Sequence, residues 1–432
     1  MFNLTENGTD ARTEILAGFT TFLTMVYIIV VNPAVLSSTG VPFDQVFIAT
    51  IIGTVAGTLW MALAANYPIA VAPGMGLNAY FAYSVVGTHG GITYVTAFGA
   101  VFVAGIIFFI LSLTPFREKL VEAIPDNLRS GITAGIGLFI AFIGLRSAGI
   151  IAADKTNLVR LGDLHSPSAE LALIGLAVTL ICMALNINGA LFIGMAITGL
   201  IAYFTGQLSF DKGFVSVPHM PQGLVVEHPL KAVLDVFTHS LYAVVFSFLL
   251  VTIFDTTGTI VGVAKQAGLM KGKSLPRARR ALLSDSIGTV IGSLFGTSPT
   301  SAYIESSSGV AAGGRTGLTT LVVAVLFIIS AFFSPLVGAV AGLSAITSPA
   351  LIIVGSLMIG SISDIKWSEI DEAFPAFLII LVMPLTSSIS TGIALGFISY
   401  PILKIFKGNW RQVHPLVYIF AVLFFIHLAF LQ

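Results

Sequence analysis

Charge is the scarcest property of this chain. Asp, Glu, Lys and Arg make up 9% of its 432 residues, where a soluble domain carries about 25%. A folded surface so poor in charge is not kept in water, so much of it must face lipid. The 20 acids balance 20 Lys and Arg, for a formal net charge of +0. No basic field exists to hold nucleic acid. Cysteine is almost missing: Cys182 stands alone in an apolar run, which excludes an internal disulfide and says little of compartment. Catalytic signatures are missing as well. There is no H-E-x-x-H zinc motif, no G-x-S-x-G elbow, and no second aspartate of the G-x-G-D type that an intramembrane aspartyl protease needs. An enzyme is therefore not expected. Residues 1–14 are polar and lack the basic-then-apolar pattern of a signal peptide, so insertion is expected to rely on the spans themselves.

What the chain does have is apolar length. Hydrophobic residues make up 56% of it, and the mean hydropathy is +0.99. Runs long enough to cross a bilayer follow one another with short polar gaps. They predict an all-α polytopic membrane protein with about fourteen segments, near 15–36, 45–68, 70–87, 92–114, 127–148, 168–187, 189–206, 238–262, 281–296, 299–312, 318–342, 348–363, 373–385 and 387–405. The third and tenth are short and rich in Gly, Pro and Ser, and read as broken half helices. A last apolar stretch, 413–431, reads either as an extra span or as an interfacial helix.

With the N-terminus inside, the inner segments hold Arg12, Arg117, Lys119, Arg129, the six cations from Lys265 to Arg280, Arg315, Lys366, Lys404, Lys407 and Arg411, fifteen of the 20. The bias predicts a cytoplasmic N-terminus in the cell (inner) membrane. Three pairs of landmarks suggest an internal repeat. Ala79–Tyr80 precedes Ala302–Tyr303 by 223 positions, Asn32 precedes Asp255 by 223, and Pro125 precedes Pro349 by 224. The offset divides the chain into two halves of seven spans. An odd number per half inverts the second half, which is a feature of secondary transporters whose site lies where the broken helices meet.

Of the acids, three fall within apolar spans: Asp255, Asp285 and Glu305. Asp285, close to the basic loop, reads as a partner for Arg279 or Arg280. The other two lack such a neighbour, since no Lys or Arg is expected deep in any span. A carboxylate at membrane depth costs several kcal/mol unless it is paired, protonated or facing water, and desolvation favours the neutral form of a carboxyl. An acid that alternates between charged and neutral is what proton coupling requires. Glu305 lies in S-P-T-S-A-Y-I-E-S-S-S-G, where Pro299 and Gly309 interrupt the helix and Ser301 and its neighbours can satisfy freed backbone groups. The third segment mirrors it with A-P-G-M-G-L-N-A-Y-F, offering Gly76, Asn78, Ala79 and Tyr80. Two acids and an amide without a fixed cation suit a neutral, flat solute with N–H donors, stacked on Tyr80, Phe81 or Phe254. That argument selects a chemical class and names no compound.

These residues also carry a resemblance. G-F-T-T-F-L-T-M-V-Y-I-I-V-V-N-P within 17–33, A-P-G-M-G-L-N-A-Y-F at 72–81, F-D-T-T-G-T at 254–259 and T-S-P-T-S-A-Y-I-E-S-S-S-G-V-A-A-G-G-R-T-G-L at 297–318 resemble the AzgA-like purine permeases of the nucleobase–cation symporter superfamily. The resemblance covers nearly the whole chain. It implies a 7+7 inverted repeat with a core domain (1–125 and 233–345) and a gate domain (126–232 and 346–432). It implies uptake of adenine, guanine or hypoxanthine coupled to H⁺, with Na⁺ as the alternative ion and no other cofactor. Asp255 and Glu305 would face the base and carry the proton, with Gly76 and Asn78 beside them. Dimerisation through the gate, giving a homodimer, is implied by relatives of the fold. Two rival readings are the same fold moving uracil or xanthine, and a channel.

Overall fold

The computed structural model describes residues 2–86, 92–114, 123–218, 221, 223–270 and 275–430. Arg117, Lys119, Lys271 and Lys273, four of the cations used for orientation, lie outside the described residues.

Asp10 starts the first span by accepting the Thr13 N–H at 2.9 Å, which caps α1 (Ala11–Met25). The helix breaks at Val26 and Tyr27 and resumes as α2 (Ile28–Ser37). Then come α3 (Phe43–Trp60), a π-helical turn at Met61–Ala65, strand β1 (Val71–Pro73) and the short α4 (Met75–Ala79), which continues as a π-helix to Val86. The half closes with α5 (Tyr94–Ser112), α6 (Asp126–Ser147), a hairpin of β2 (Ile151–Asp154) and β3 (Leu158–Leu161), α7 (Pro167–Ala184) and α8 (Ala190–Phe204). A short helix, α9 (Pro229–Thr238), leads into the second half. That half runs α10 (Tyr242–Gln266), α11 (Ala278–Phe295), β4 (Thr300–Ala302), α12 (Ser306–Ala311), α13 (Gly317–Ser330), α14 (Ser334–Ala341), α15 (Ser344–Ile359), α16 (Ile370–Thr386) and α17 (Ile389–Phe406), followed by α18 (Pro415–Phe430).

Among the described residues, nine helical segments are long and apolar enough to cross a membrane. Shorter or more polar helices α8, α11 and α16 fill three further places in the order, and β1–α4 and β4–α12 are the two broken segments. The chain is thus a seven-segment unit repeated upside down. At the centre β1 and β4 pair antiparallel, Ala72 opposite Ser301. Each strand supplies hydrogen-bond partners that a broken helix lacks in a membrane.

The sequence landmarks do not all fall at matching places in the two halves. Ala302 lies in β4, whereas Ala79 sits past its strand, at the end of α4. Pro125 directly precedes α6, whereas Pro349 lies inside α15. The inverted arrangement they suggested is nevertheless present.

The helices pack in two groups. In the first, α11 lies against α3 and α5, and α1 lies against α13. In the second, α6 lies against α15 and α16, α7 against α8 and α15, and α16 against α17. Each group is built around a crossing of one helix from each half, made close by glycine. A Cβ at Gly53 of α3 would stand 3.2 Å from the Gly292 Cα of α11, and one at Gly137 of α6 would stand 2.6 Å from the Gly355 O of α15. Lipid gives helices no hydrophobic drive to associate, so close van der Waals approach through small residues supplies it.

Buried charge strengthens both groups. Glu14 is fully buried and accepts from Arg315 N (2.8 Å), Thr316 N (3.3 Å), Thr319 N (3.1 Å) and Thr319 Oγ1 (2.6 Å), so α1 caps the start of α13. In the second group the Lys404 Nζ meets Asp371 Oδ2 at 2.7 Å and Glu372 Oε1 at 2.6 Å, while Asn127 donates to Glu372 Oε2 at 2.6 Å. Lys404 is 3% exposed, which corrects the expectation that no cation is buried within a span; its partners are at the head of α16, far in sequence from Asp255 and Glu305. The terminal stretch is a 16-residue helix, about 24 Å long at 1.5 Å per residue and short for a bilayer of roughly 30 Å. It lies against α17, and its Phe420 and Phe424 meet Phe246 of α10 tilted and edge-on, at 4.7 and 5.3 Å between ring centres.

Candidate functional site

The site is built where β1 and β4 cross and each strand turns into its half helix. Tyr303 ties the crossing together: its N–H donates to Ala70 O at 2.9 Å and its hydroxyl to Pro73 O at 2.5 Å. Gly74 N–H donates to Pro299 O at 3.0 Å. Leu77 and Asn78 N–H both turn back to Gly74 O at 3.0 Å, which opens α4 directly after the strand. On the other side Ser306 Oγ accepts the Ala70 N–H at 3.0 Å as α12 opens.

Asp255 sits halfway along α10. Phe254 and Thr256 beside it are buried, yet Asp255 is exposed. It opens into a cavity lined by Gly74, Gly76 and Leu77 from the first broken segment, by Val251 and Phe254, and by Ile132, Thr133, Ile136 and Met358 from α6 and α15. Both packing groups therefore contribute to its wall. Gly76 is a point of close approach between them, because a Cβ there would overlap Ile136 Cγ2. The Ser301 side chain interacts with the Asp255 carboxyl, and Thr256 Oγ1 accepts the Ala302 N–H at 3.3 Å, fixing α10 to β4.

Glu305 is the residue before α12 and is half-buried. Its Oε1 accepts the Tyr27 hydroxyl at 2.6 Å. Asp255, Asp285 and Glu305 are near enough to act on one another through charge. Asp285 itself is fully buried, its carboxylate accepting the Ser286 N–H at 2.7 Å.

The residues singled out from sequence divide into two sets. Asp255 and Gly76 line the cavity, while Ser301, which is buried, and Glu305 stand beside it at the strand crossing without lining it. Asn78, Ala79 and Tyr80 are at most 1% exposed and do not line the cavity. Asn78 Nδ2 donates to Asn32 Oδ1 at 3.1 Å, and Asn32 Nδ2 donates to Thr50 and Thr297 at 2.7 and 2.8 Å. Asn78 Oδ1 has no hydrogen-bond partner among the described residues. Tyr80 packs edge-on to Phe248 at 5.0 Å. Tyr27, Thr133, Ile136 and Met358 were not singled out. Tyr27 lies in the run at 17–33, but its polar residues Thr20, Thr21, Thr24 and Asn32 mark no single stripe that shows which side faces an acid.

A model of the xanthine/uracil permease group, described as "Permease family", matches residues 12–395. The chain belongs to that family. The guanine/hypoxanthine permease PbuO of Bacillus subtilis is 68% identical over 432 residues, covering 100% of both chains. The adenine permease AdeP of Escherichia coli is 44% identical over 434 residues, covering 100% of this chain and 96% of AdeP. Among solved structures, the transmembrane domain of the cyanobacterial bicarbonate transporter BicA superposes with a TM-score of 0.64 at 17% identity, over 88% of this chain and 96% of that one. At that identity the likeness speaks for the fold alone, the 7+7 inverted repeat. This permease is a multi-pass membrane protein, and its relatives are transporters, not enzymes.

Proposed function

We propose that this permease imports purine bases across the cell membrane by proton symport, with guanine and hypoxanthine as first candidates and adenine next. The observation that carries the reading is full-length identity of 68% to a guanine/hypoxanthine permease, joined to a cavity with Asp255 on one wall and α6 and α15 on the other. The first packing group is the core domain (1–125 and 233–345), the second the gate (126–232 and 346–432), and the N-terminus is cytoplasmic.

In this reading the base lies against Gly76, where the missing side chain lets a flat ring approach the backbone. Glu305 accepts its N–H groups. Asn78, buried and bonded to Asn32, holds the half helix in place beside the site. Asp255, braced by Ser301, carries the coupling proton or holds the polar network, and the two acids titrate as a pair. Protonation neutralises the site before the core moves against the gate, because a neutral carboxyl crosses an apolar gap at far lower cost than a charged one. Ala79 and Tyr80 support the half helix from behind. A homodimer formed through the gate completes the proposal.

Uptake of labelled guanine, hypoxanthine and adenine into cells lacking their own purine permeases tests it. A protonophore should abolish uptake, while replacing Na⁺ by K⁺ should leave it unchanged. Glu305→Gln should raise KM by tenfold or more, since a charge-assisted hydrogen bond is worth ~1.5–3 kcal/mol. Asp255→Asn should remove the pH dependence of uptake. No uptake of any base by well-inserted protein would end the purine reading.

A further inference from the structure

The first span breaks inside the membrane, at Val26 and Tyr27. A break there leaves backbone groups to satisfy, and it turns Tyr27 toward the second half of the chain. The phenol is 1% exposed, so it meets no solute itself. Its hydroxyl donates to Glu305 Oε1 at 2.6 Å. One turn earlier the Thr24 hydroxyl, which donates to Thr21 O at 2.8 Å, lies 3.3 Å from the Glu305 main-chain O. The first span thus holds the Glu305 carboxylate through Tyr27 and packs beside its backbone. A separation of 2.6 Å falls in the range of a charge-assisted O–H···O⁻ bond. Glu305 is also the residue at which α12 begins, where main-chain geometry alone leaves the carboxyl free to turn about its χ angles.

We infer that Tyr27 is the positioning residue for Glu305: it engages one carboxylate oxygen and turns the other toward the base. This rests on the reading of Glu305 as the base's partner. Without the phenol, binding would have to supply the ordering of that side chain, and affinity would fall by that amount. A purely structural tyrosine would instead lower stability and leave affinity alone.

Equilibrium binding of guanine and hypoxanthine to the purified full-length protein separates the cases, using the wild type, Tyr27→Phe, Glu305→Gln and the double variant. Tyr27→Phe keeps the buried ring. It should raise Kd about tenfold in the wild type, for a bond worth ~1.5 kcal/mol, and change Kd less than about twofold once Glu305 is Gln, because contacting residues are not additive. An unchanged Kd in Tyr27→Phe, or the same loss in both backgrounds, overturns the inference. If Tyr27→Phe does not fold, Glu305→Asp serves instead: it withdraws the carboxylate from the phenol by one methylene and should weaken binding likewise. Wild-type affinity in Glu305→Asp overturns the inference too. Wild-type affinity in Glu305→Gln would bring down the site reading itself, whereas weak Glu305→Gln with normal Tyr27→Phe removes only the role of Tyr27.

Discussion

A Cβ built on Gly76 would overlap Cγ2 of Ile136, on a helix of the other packing group. Glycine is therefore required by space at this point of close approach between the two groups beside Asp255. Gly76→Ala should hold the groups apart and cut uptake more than about tenfold, the order of effect that ~1.4 kcal/mol produces, with normal amounts of protein in the membrane. Ile136→Ala in the same chain should restore part of the rate by removing the overlapping methyl. If the double variant is no better than Gly76→Ala, the steric account is wrong. Residue identity at the site was well legible before folding was considered, because an acid within an apolar span is conspicuous by its cost. Side-chain direction was not. Asn78 stands out in sequence as strongly as Glu305 does, yet it is fully buried against Asn32, and nothing in A-P-G-M-G-L-N-A-Y-F distinguishes the side facing Asn32 from the side facing the cavity.

At the level of elements, the broken third and tenth segments were readable from Pro and Gly, and the structure renders each as a strand followed by a half helix. The long spans were readable from length. How they pack was not, because helices that are apolar all round carry no stripe to mark their inner face. The ionic cluster of the second group illustrates this: Asp371, Glu372 and Lys404 occupy ordinary span-end positions in sequence, where charges normally meet water. In the fold they tie α16 to α17, and Asn127 adds α6. Lys404→Met leaves buried Glu372 without a cation and Asp371 with Lys407 alone, and breaking a buried pair costs about 3–5 kcal/mol. Lys407 touches the same Asp371 at 2.5 Å but is 45% exposed, so Lys407→Met should cost only ~0–1 kcal/mol. Thermal melting in detergent should therefore show a large drop for the first variant and a small one for the second. Equal drops would mean that burial does not set the strength of the cluster.

At the scale of the whole molecule, two packing groups that share one cavity wall invite a test of relative movement. A Cβ at Gly76 would lie 3.8 Å from Ile136 Cβ, the mean separation of a disulfide, ~3.8 Å. In a chain whose single Cys182 is replaced by Ser, Gly76→Cys with Ile136→Cys should cross-link on oxidation. Ile136→Cys also removes the methyl that a side chain at 76 would meet, so the reduced form should keep part of the wild-type rate. Uptake should fall to background when the bond forms and return on reduction. Transport that persists in the fully oxidised protein would show that α4 and α6 do not separate during the cycle.

The pairing of Ala72 with Ser301 has a consequence for how the chain is made. The edge of β1 is complete only when β4 has emerged, 229 residues later. At roughly 5–20 residues per second, a nascent third segment waits on the order of ten to fifty seconds for its partner. During that interval its strand has a bare edge in or near the bilayer, the most costly place for unpaired backbone. The first half therefore depends on the insertion machinery, or on water at the membrane surface, to shelter residues 71–86 until the second half arrives. The order of synthesis makes the early half the vulnerable one.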